Sequence, residues 1–251
     1  MTLLDTTGVP LAAAARAFVL LKSGRRLDLL NPDPHAWTDD DLAAGLSRTL
    51  RWGGASRWAR PLSVAQHSLT VLAIREAEGR LTPAGALREL LHDATEFMLG
   101  WEAQLGEPFR ELETRLQAAV DARYRLPPWA AEDYVKHKRA DRLAAASEAF
   151  HVVGWGRTDM VEALGIAIPP LLEDPLPPNG FARWEPWPPQ AAHHRFMARL
   201  RKLADASRSS LSPSRTPVPR SATEPVTRGD SRRRSEPAAP TPRRPSARAR
   251  D

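Results

Sequence analysis

The chain of 251 residues contains no cysteine. That excludes disulfides, cysteine nucleophiles and thiolate metal sites, so any metal must sit on His, Asp and Glu. No apolar run reaches the roughly 18 residues that a membrane-spanning helix needs. The apolar start, 11–21, is short, contains Arg16 and is followed by no signal-type cleavage site, so a cytoplasmic location is expected. Long alternating strand patterns are absent, and no internal repeat is visible. Aromatic residues are only 6% of the chain, but eight of them are Trp. Hydrophobic residues at 42% and charged residues at 26% fit an ordinary globular chain.

A net charge of +6 and a pI near 10.4 point at first to a polyanion binder. The charge is not evenly spread. Residues 206–251 hold 11 Arg, no Lys and 4 acids, a balance of +7, with eight Pro, nine Ser and no aromatic residue. Such a segment buries too little apolar surface to offset its ordering entropy, so a disordered tail is expected. Its expected partner chemistry is weak, nonspecific polyanion binding. Residues 1–205 carry −1, all eight Trp and all seven His. They form the expected folded domain.

The pattern of that domain is helical. Thr38 precedes Asp39, Asp40 and Asp41, a cap followed by acids, and Leu42, Leu46 and Leu50 recur at helical spacing. Ser63 caps a second helix closed by Gly79, and Thr82-Pro83 opens a third. The third carries Leu87, Leu90, Leu91, Ala94 and Met98 and is expected to run to Gly100. A fourth carries Phe109, Leu112, Leu116, Ala119 and Val120, and Pro127-Pro128 ends it. A fifth is expected over 130–153 and a last over 190–203, with 169–189 a proline-rich loop packed by Trp184 and Trp187.

His92-Asp93 lies at the end of the apolar third helix, where a buried charge needs a partner. On a continuous helix Glu96 shares their side, at i+4 from His92 and i+3 from Asp93. His67 sits on the apolar side of its helix with Val64 and Val71, and Asp141 lies among small alanines with Glu148 two turns on. Each has an ordinary alternative: a solvated helix end, a core histidine, an ion pair of Asp141 with Lys138 or Arg142.

Taken together, His67, His92-Asp93 and Asp141 resemble the H…HD…D signature of the HD-domain phosphohydrolases, in particular the small bacterial and phage members of the 5′-deoxynucleotidase type. Further segments are similar: Gly24 to Pro32, Asp41-Leu42-Ala43 with Leu46-Ser47-Arg48, Arg51-Trp52, Ser63 to Ser68, Leu91 to Glu96, and Val135-Lys136 with Ala140-Asp141 and Glu148. The likeness covers about residues 22 to 200. It implies an all-α bundle, one divalent ion (Mn, Co, Zn or Mg) and a homodimer. It implies His67, His92, Asp93 and Asp141 as ligands, Arg51 as the phosphate holder with Trp52 beside it, and Glu96 as the acid/base group. The implied activity is removal of the 5′-phosphate from (deoxy)nucleoside monophosphates. Removal of triphosphate from deoxynucleoside triphosphates is the alternative, with Arg48, Arg57 and Arg60 available as extra cations.

One departure stands out. The family's HD helix ends in Gly-Asp, whereas Gly100 is followed here by Trp101, with a shortened segment from Ala103 to Pro108. Trp cannot do an acid's work, so a catalytically impaired nucleotide-binding protein is a further alternative. The remaining histidines carry less. His193-His194 is expected to face solvent, His35 to lie in a turn, His137 to sit on a solvated basic face between Lys136 and Lys138, and His151 to pack near a helix end. Trp37, Trp58 and Trp129 are expected as core or interface anchors. Gly53-Gly54 reads as a turn, too short for a phosphate-cradling loop.

Overall fold

The computed structural model describes residues 17–99, 107–178 and 180–211, without the side chains of 98, 99, 107–109 and 211. Helix dominates, as the apolar spacing predicts. The departure is a small antiparallel hairpin, β1 (Phe18–Leu20) and β2 (Arg26–Asp28), with Val19 facing Leu27. Its turn needs Gly24 at φ 81°, a left-handed value that glycine adopts at little cost. Strands of three residues are too short to leave an alternating pattern.

The predicted caps form. Helix α1 (Asp39–Leu46) begins with a capping box: Thr38 Oγ1 accepts from Asp41 N at 3.0 Å, and Asp41 Oδ2 accepts from Thr38 N at 2.9 Å. Helix α2 (Val64–Glu78) is capped by Ser63, and α3 (Pro83–Leu90) by Thr82 with Pro at its first position. Helix α5 (Glu107–Tyr124) follows α4 (Glu96–Leu99), and α6 (Ala131–Glu148) runs into a π-helical turn, Ala149–Val153. A short helix, α7 (Arg157–Leu164), lies where the sequence predicted none. Met160 is its one buried residue, so it carries no apolar stripe to read.

The third helix does not continue to Gly100. After Leu90 the bonds shorten to i→i+3: Ala94 N to Leu91 O at 3.1 Å and Glu96 N to Asp93 O at 3.0 Å. At this break His92 Nδ1–H donates back to Glu89 O at 2.8 Å, competing for the carbonyl that Asp93 N would use in a continuing helix. Residues 100–106, including Trp101, lie outside the described residues.

The last helix, α8 (Pro189–Leu211), runs past the predicted 203 and through the first residues of the predicted tail. Ser209 Oγ donates to Asp205 O, Ser210 Oγ donates to Ser207 O, and Arg208 pairs with Asp205. Ser207 is buried. The helix thus continues where composition signals only disorder. The remainder of the tail, 212–251, lies outside the described residues.

Packing places α8 against α3, α1 and α2, and α2 against α6 and α3. The main core includes Trp37, Leu42, Leu46, Leu72, Leu87, Leu90, Leu91, Leu116, Phe196 and Leu200. Trp184 and Trp187 are buried under the proline-rich loop as expected. Gln66 anchors that loop: its Nε2 donates to Glu185 O and its Oε1 accepts from Trp187 N at 2.7 Å. Among the described residues no helix is long and apolar enough to cross a membrane.

Candidate metal centre

Three parts of the chain meet where α2, α6 and the turn after α3 converge. His67 lies one turn into α2 and is fully buried. His92 and Asp93 occupy the tightened turn, and Asp141 projects from α6. His67 Nε2 is 3.3 Å from His92 Nε2, 3.4 Å from Asp93 Oδ2 and 3.3 Å from Asp141 Oδ1. His92 Nε2 is 3.2 Å from Asp93 Oδ2. Neighbouring donors around a single ion with bonds of about 2.1 Å stand about 3.0 to 3.4 Å apart. His67, His92 and Asp93 could therefore hold a metal ion.

The imidazoles are oriented for it. Carboxylates and carbonyls only accept, so the ring nitrogens facing them carry the hydrogen. His67 Nδ1–H donates to Glu148 Oε1 at 2.6 Å, and His92 Nδ1–H to Glu89 O at 2.8 Å. With Nδ1 engaged in this way each Nε2 faces the centre, where it can exchange a proton for a metal ion, the ring orientation that outer-shell carboxylates and carbonyls enforce at metal sites. The Asp93 and Asp141 side chains are 21% and 23% exposed, so the centre opens to solvent on their side.

Arg51 reaches the same place from a separate segment. Residues 49–51 pair with 62–64 through Arg51 N to Leu62 O at 2.8 Å and Val64 N to Thr49 O at 3.0 Å. That short pairing sets the guanidinium beside the start of α2. Its NH1 lies 3.8 Å from Asp93 and its Nε 3.5 Å from Glu148. The next residue, Trp52, is held at φ 58°, a strained value for a non-glycine residue. Its Nε1–H donates to Glu148 Oε2 at 3.2 Å, so only its ring remains to meet a ligand. Glu148 thus ties His67, Trp52 and Arg51 together while buried itself.

The electrostatics favour a cation. Burial works against the charge on Asp93, yet His92 and His67 hold its carboxyl well below the usual range. Asp141 is held down in the same way by His67 and His92, and Glu148 by His67 and Arg51. Burial opposes the charging of His67 and so does Arg51, but Glu148, Asp141 and Asp93 raise its pKa well above the ordinary value. Burial also opposes the charging of His92, and chiefly Asp93 raises it. Glu96 behaves differently. Burial, then the charge of Asp93, pushes it up to about 7. Its position is set by Thr49 Oγ1, which donates to Glu96 O at 3.2 Å, and by the close approach of Gly45 to Phe97.

Other residues fall elsewhere. His193 pairs with Asp40, His151 stacks on Trp184, and Trp58 Nε1–H donates to His151 O. Arg60 pairs with Glu185 at 2.9 Å, away from the centre. Asp141 also makes a looser contact with Lys138 at 3.5 Å.

His137 contradicts its expected place on a solvated face. It is buried, its Nδ1–H donates to Glu89 Oε2 at 2.8 Å, and its ring meets His92 edge-on at 4.9 Å. Lys136 and Lys138 do face solvent. The helix turns about 100° between neighbours, so His137 joins Ala140, Asp141 and Ala144 on the inward face. That i, i+3, i+4, i+7 spacing was the available signal. Glu89 gave no local signal, because its partner Arg75 lies a helix away.

No protein-family model matches the chain. Over 172 residues, 61% of this chain and 86% of the relative, it is 37% identical to an uncharacterized protein of Rhodobacter capsulatus, RCAP_rcc00048. With an identity of that size over most of the relative's length, the chain belongs to the same family as the Rhodobacter capsulatus protein.

Proposed function

We propose that the protein is an HD-type, metal-dependent phosphohydrolase that removes the 5′-phosphate from (deoxy)nucleoside monophosphates. The observation that carries this reading is the convergence of two Nε2 atoms and two carboxylate oxygens beside one guanidinium. His67, His92, Asp93 and Asp141 would hold one divalent cation; imidazole and carboxylate donors suit Mn, Co or Zn, and Mg through its carboxylates. The cation would act as a Lewis acid toward a phosphoryl oxygen and ease deprotonation of a water.

The chain's own residues supply the rest. Arg51 presents a planar fork to a phosphate, which suits it better than a point charge. Glu96, poised near neutral pH, gives or takes a proton at the leaving 5′-oxygen or the attacking water. Trp52 gives an apolar wall next to Arg51.

Charge favours a monophosphate over a triphosphate. Asp93, Asp141 and Glu148 against Arg51 leave two negative charges, which one divalent cation neutralises. A triphosphate would bring further negative charge, and Arg60 is committed to Glu185. The test is product analysis with the full chain, Mn²⁺ or Co²⁺ and a panel of nucleotides. Inorganic phosphate from monophosphates, lost in Asp93→Ala, supports the reading. Inorganic triphosphate from triphosphates supports the other substrate class, and rates equal to those of Asp93→Ala exclude both.

A further inference from the structure

We infer that Glu89 and His137 form a positioning pair that fixes the ring of His92 for metal binding, an inference that rests on reading His92 as a ligand. Glu89 is 1% exposed, and its three oxygens are all committed. The main-chain carbonyl accepts from His92 Nδ1–H at 2.8 Å. Carboxylate Oε1 accepts from Arg75 Nε–H at 2.7 Å, and Oε2 accepts from His137 Nδ1–H at 2.8 Å. One residue thus sets the His92 tautomer through its backbone and grips the neighbouring ring through its side chain.

The rings complete the clamp. Trp129 stacks on His137 with centroids 4.6 Å apart, His137 meets His92 at 4.9 Å, and His92 meets His67 at 5.3 Å. The imidazole of His92 therefore has a hydrogen bond at one nitrogen and a ring on each side. Rotation about its Cβ–Cγ bond would break the first and collide with the others.

Stability alone does not account for the arrangement. Taking a carboxylate out of water is costly, and a buried ion pair rarely recovers more than that cost. Arg75 already has Glu78 at 2.9 Å and Asp133 at 3.6 Å. What the Glu89 carboxylate adds is a link from that cation to His137, while the main-chain carbonyl of the same residue holds His92. A partner bonded directly to a metal-bound imidazole is worth about 10- to 100-fold in metal affinity. The Glu89 carboxylate acts one contact further out, through the His137 ring, so a smaller loss is expected.

The experiment is Co²⁺ titration of the full chain, followed by the visible absorption of the bound ion, with thermal unfolding of the metal-free form measured in parallel. The variants are Glu89→Gln and His137→Phe, which keep volume, and His137→Asn, which keeps a donor to Glu89 but removes the ring. His92→Ala marks the site. Cobalt affinity several-fold lower in Glu89→Gln and His137→Phe, below the loss of about 10- to 100-fold expected for a direct partner, with an altered absorption envelope, is the expected result. A role in folding alone would lower the unfolding temperature and leave spectrum and affinity untouched below it. Folded variants with wild-type affinity and spectrum would overturn the positioning pair and leave the metal centre standing. Should Glu89→Gln or His137→Phe not fold, His137→Asn decides by the same two readouts. A wild-type chain whose cobalt uptake equals that of His92→Ala would overturn both the centre and the pair.

Discussion

His67 Nε2 and His92 Nε2 face each other at 3.3 Å, each with its opposite ring nitrogen bonded to an acceptor. In the metal-free chain a proton on one Nε2, favoured by Asp93 and Asp141, bridges the rings, and a divalent cation that replaces it would bind an arrangement that only the folded chain supplies. A divalent cation should therefore stabilise the fold. At a concentration 100 times its dissociation constant the gain is about 2.7 kcal/mol. Differential scanning fluorimetry with Mn²⁺ or Co²⁺ should show a raised melting temperature in the wild type and no rise in His92→Ala.

Arg51→Ala should lower kcat/KM for a nucleoside monophosphate by about 100-fold, the loss expected of a charge-assisted phosphate fork. Arg51→Lys should recover only part of it, because a point charge cannot bind two oxygens in one plane. Metal content should stay at the wild-type level in both. Steady-state kinetics with elemental analysis checks the pair.

Gly45→Ala tests how Glu96 is placed. A Cβ at Gly45 would stand 2.8 Å from both Phe97 Cβ and Phe97 O, so α4 must move. The expected cost is about 1–3 kcal/mol of stability. Turnover should fall further than metal affinity, since Glu96 lies in α4 itself while His67 and Asp141 stand on other helices and His92 is held by Glu89 O. Chemical denaturation and kinetics on the same variant separate the two effects.

Asp41 predicts an acid limb of stability outside the centre. Burial works against its charge, but bonds from Thr38 and Ser23 lower its pKa in the fold. A depressed folded pKa contributes stability that is fully present above the unfolded value of 3.8 and is lost as pH falls through the folded value. Asp41→Asn should cost about 1 kcal/mol at neutral pH, as the loss of a capping partner does. It should also flatten the decline in melting temperature below about pH 4. Melting curves across pH 2–8 measure both.

Much of the fold was legible because its signals are local. Thr38, Ser63 and Thr82-Pro83 bond within three residues of themselves, so sequence spacing alone locates three helix starts. His67, His92, Asp93 and Asp141 stand out through the resemblance to the H…HD…D signature, since each alone has an ordinary reading; the structure groups His67, His92 and Asp93 and sets Asp141 Oδ1 3.3 Å from His67 Nε2. The break at Leu91 was not legible, since the apolar spacing of Leu87, Leu90, Leu91 and Ala94 continues across it. His137 was misread because its lysine neighbours describe the other faces of α6. Glu89 was invisible because Arg75 and His137 reach it only across helix packing. The extension of α8 was not legible, because its serine-rich end has the composition of a linker although Leu200, Leu203, Ala204 and Ser207 form one buried face.

The most direct measurement is elemental analysis of the full chain after equilibrium dialysis against Mn²⁺ or Co²⁺, run beside Asp93→Ala and His92→Ala. One ion per wild-type chain, with neither variant retaining it, is the predicted result. Equal metal in all three proteins, or none in the wild type, would contradict the centre and the activity proposed for it.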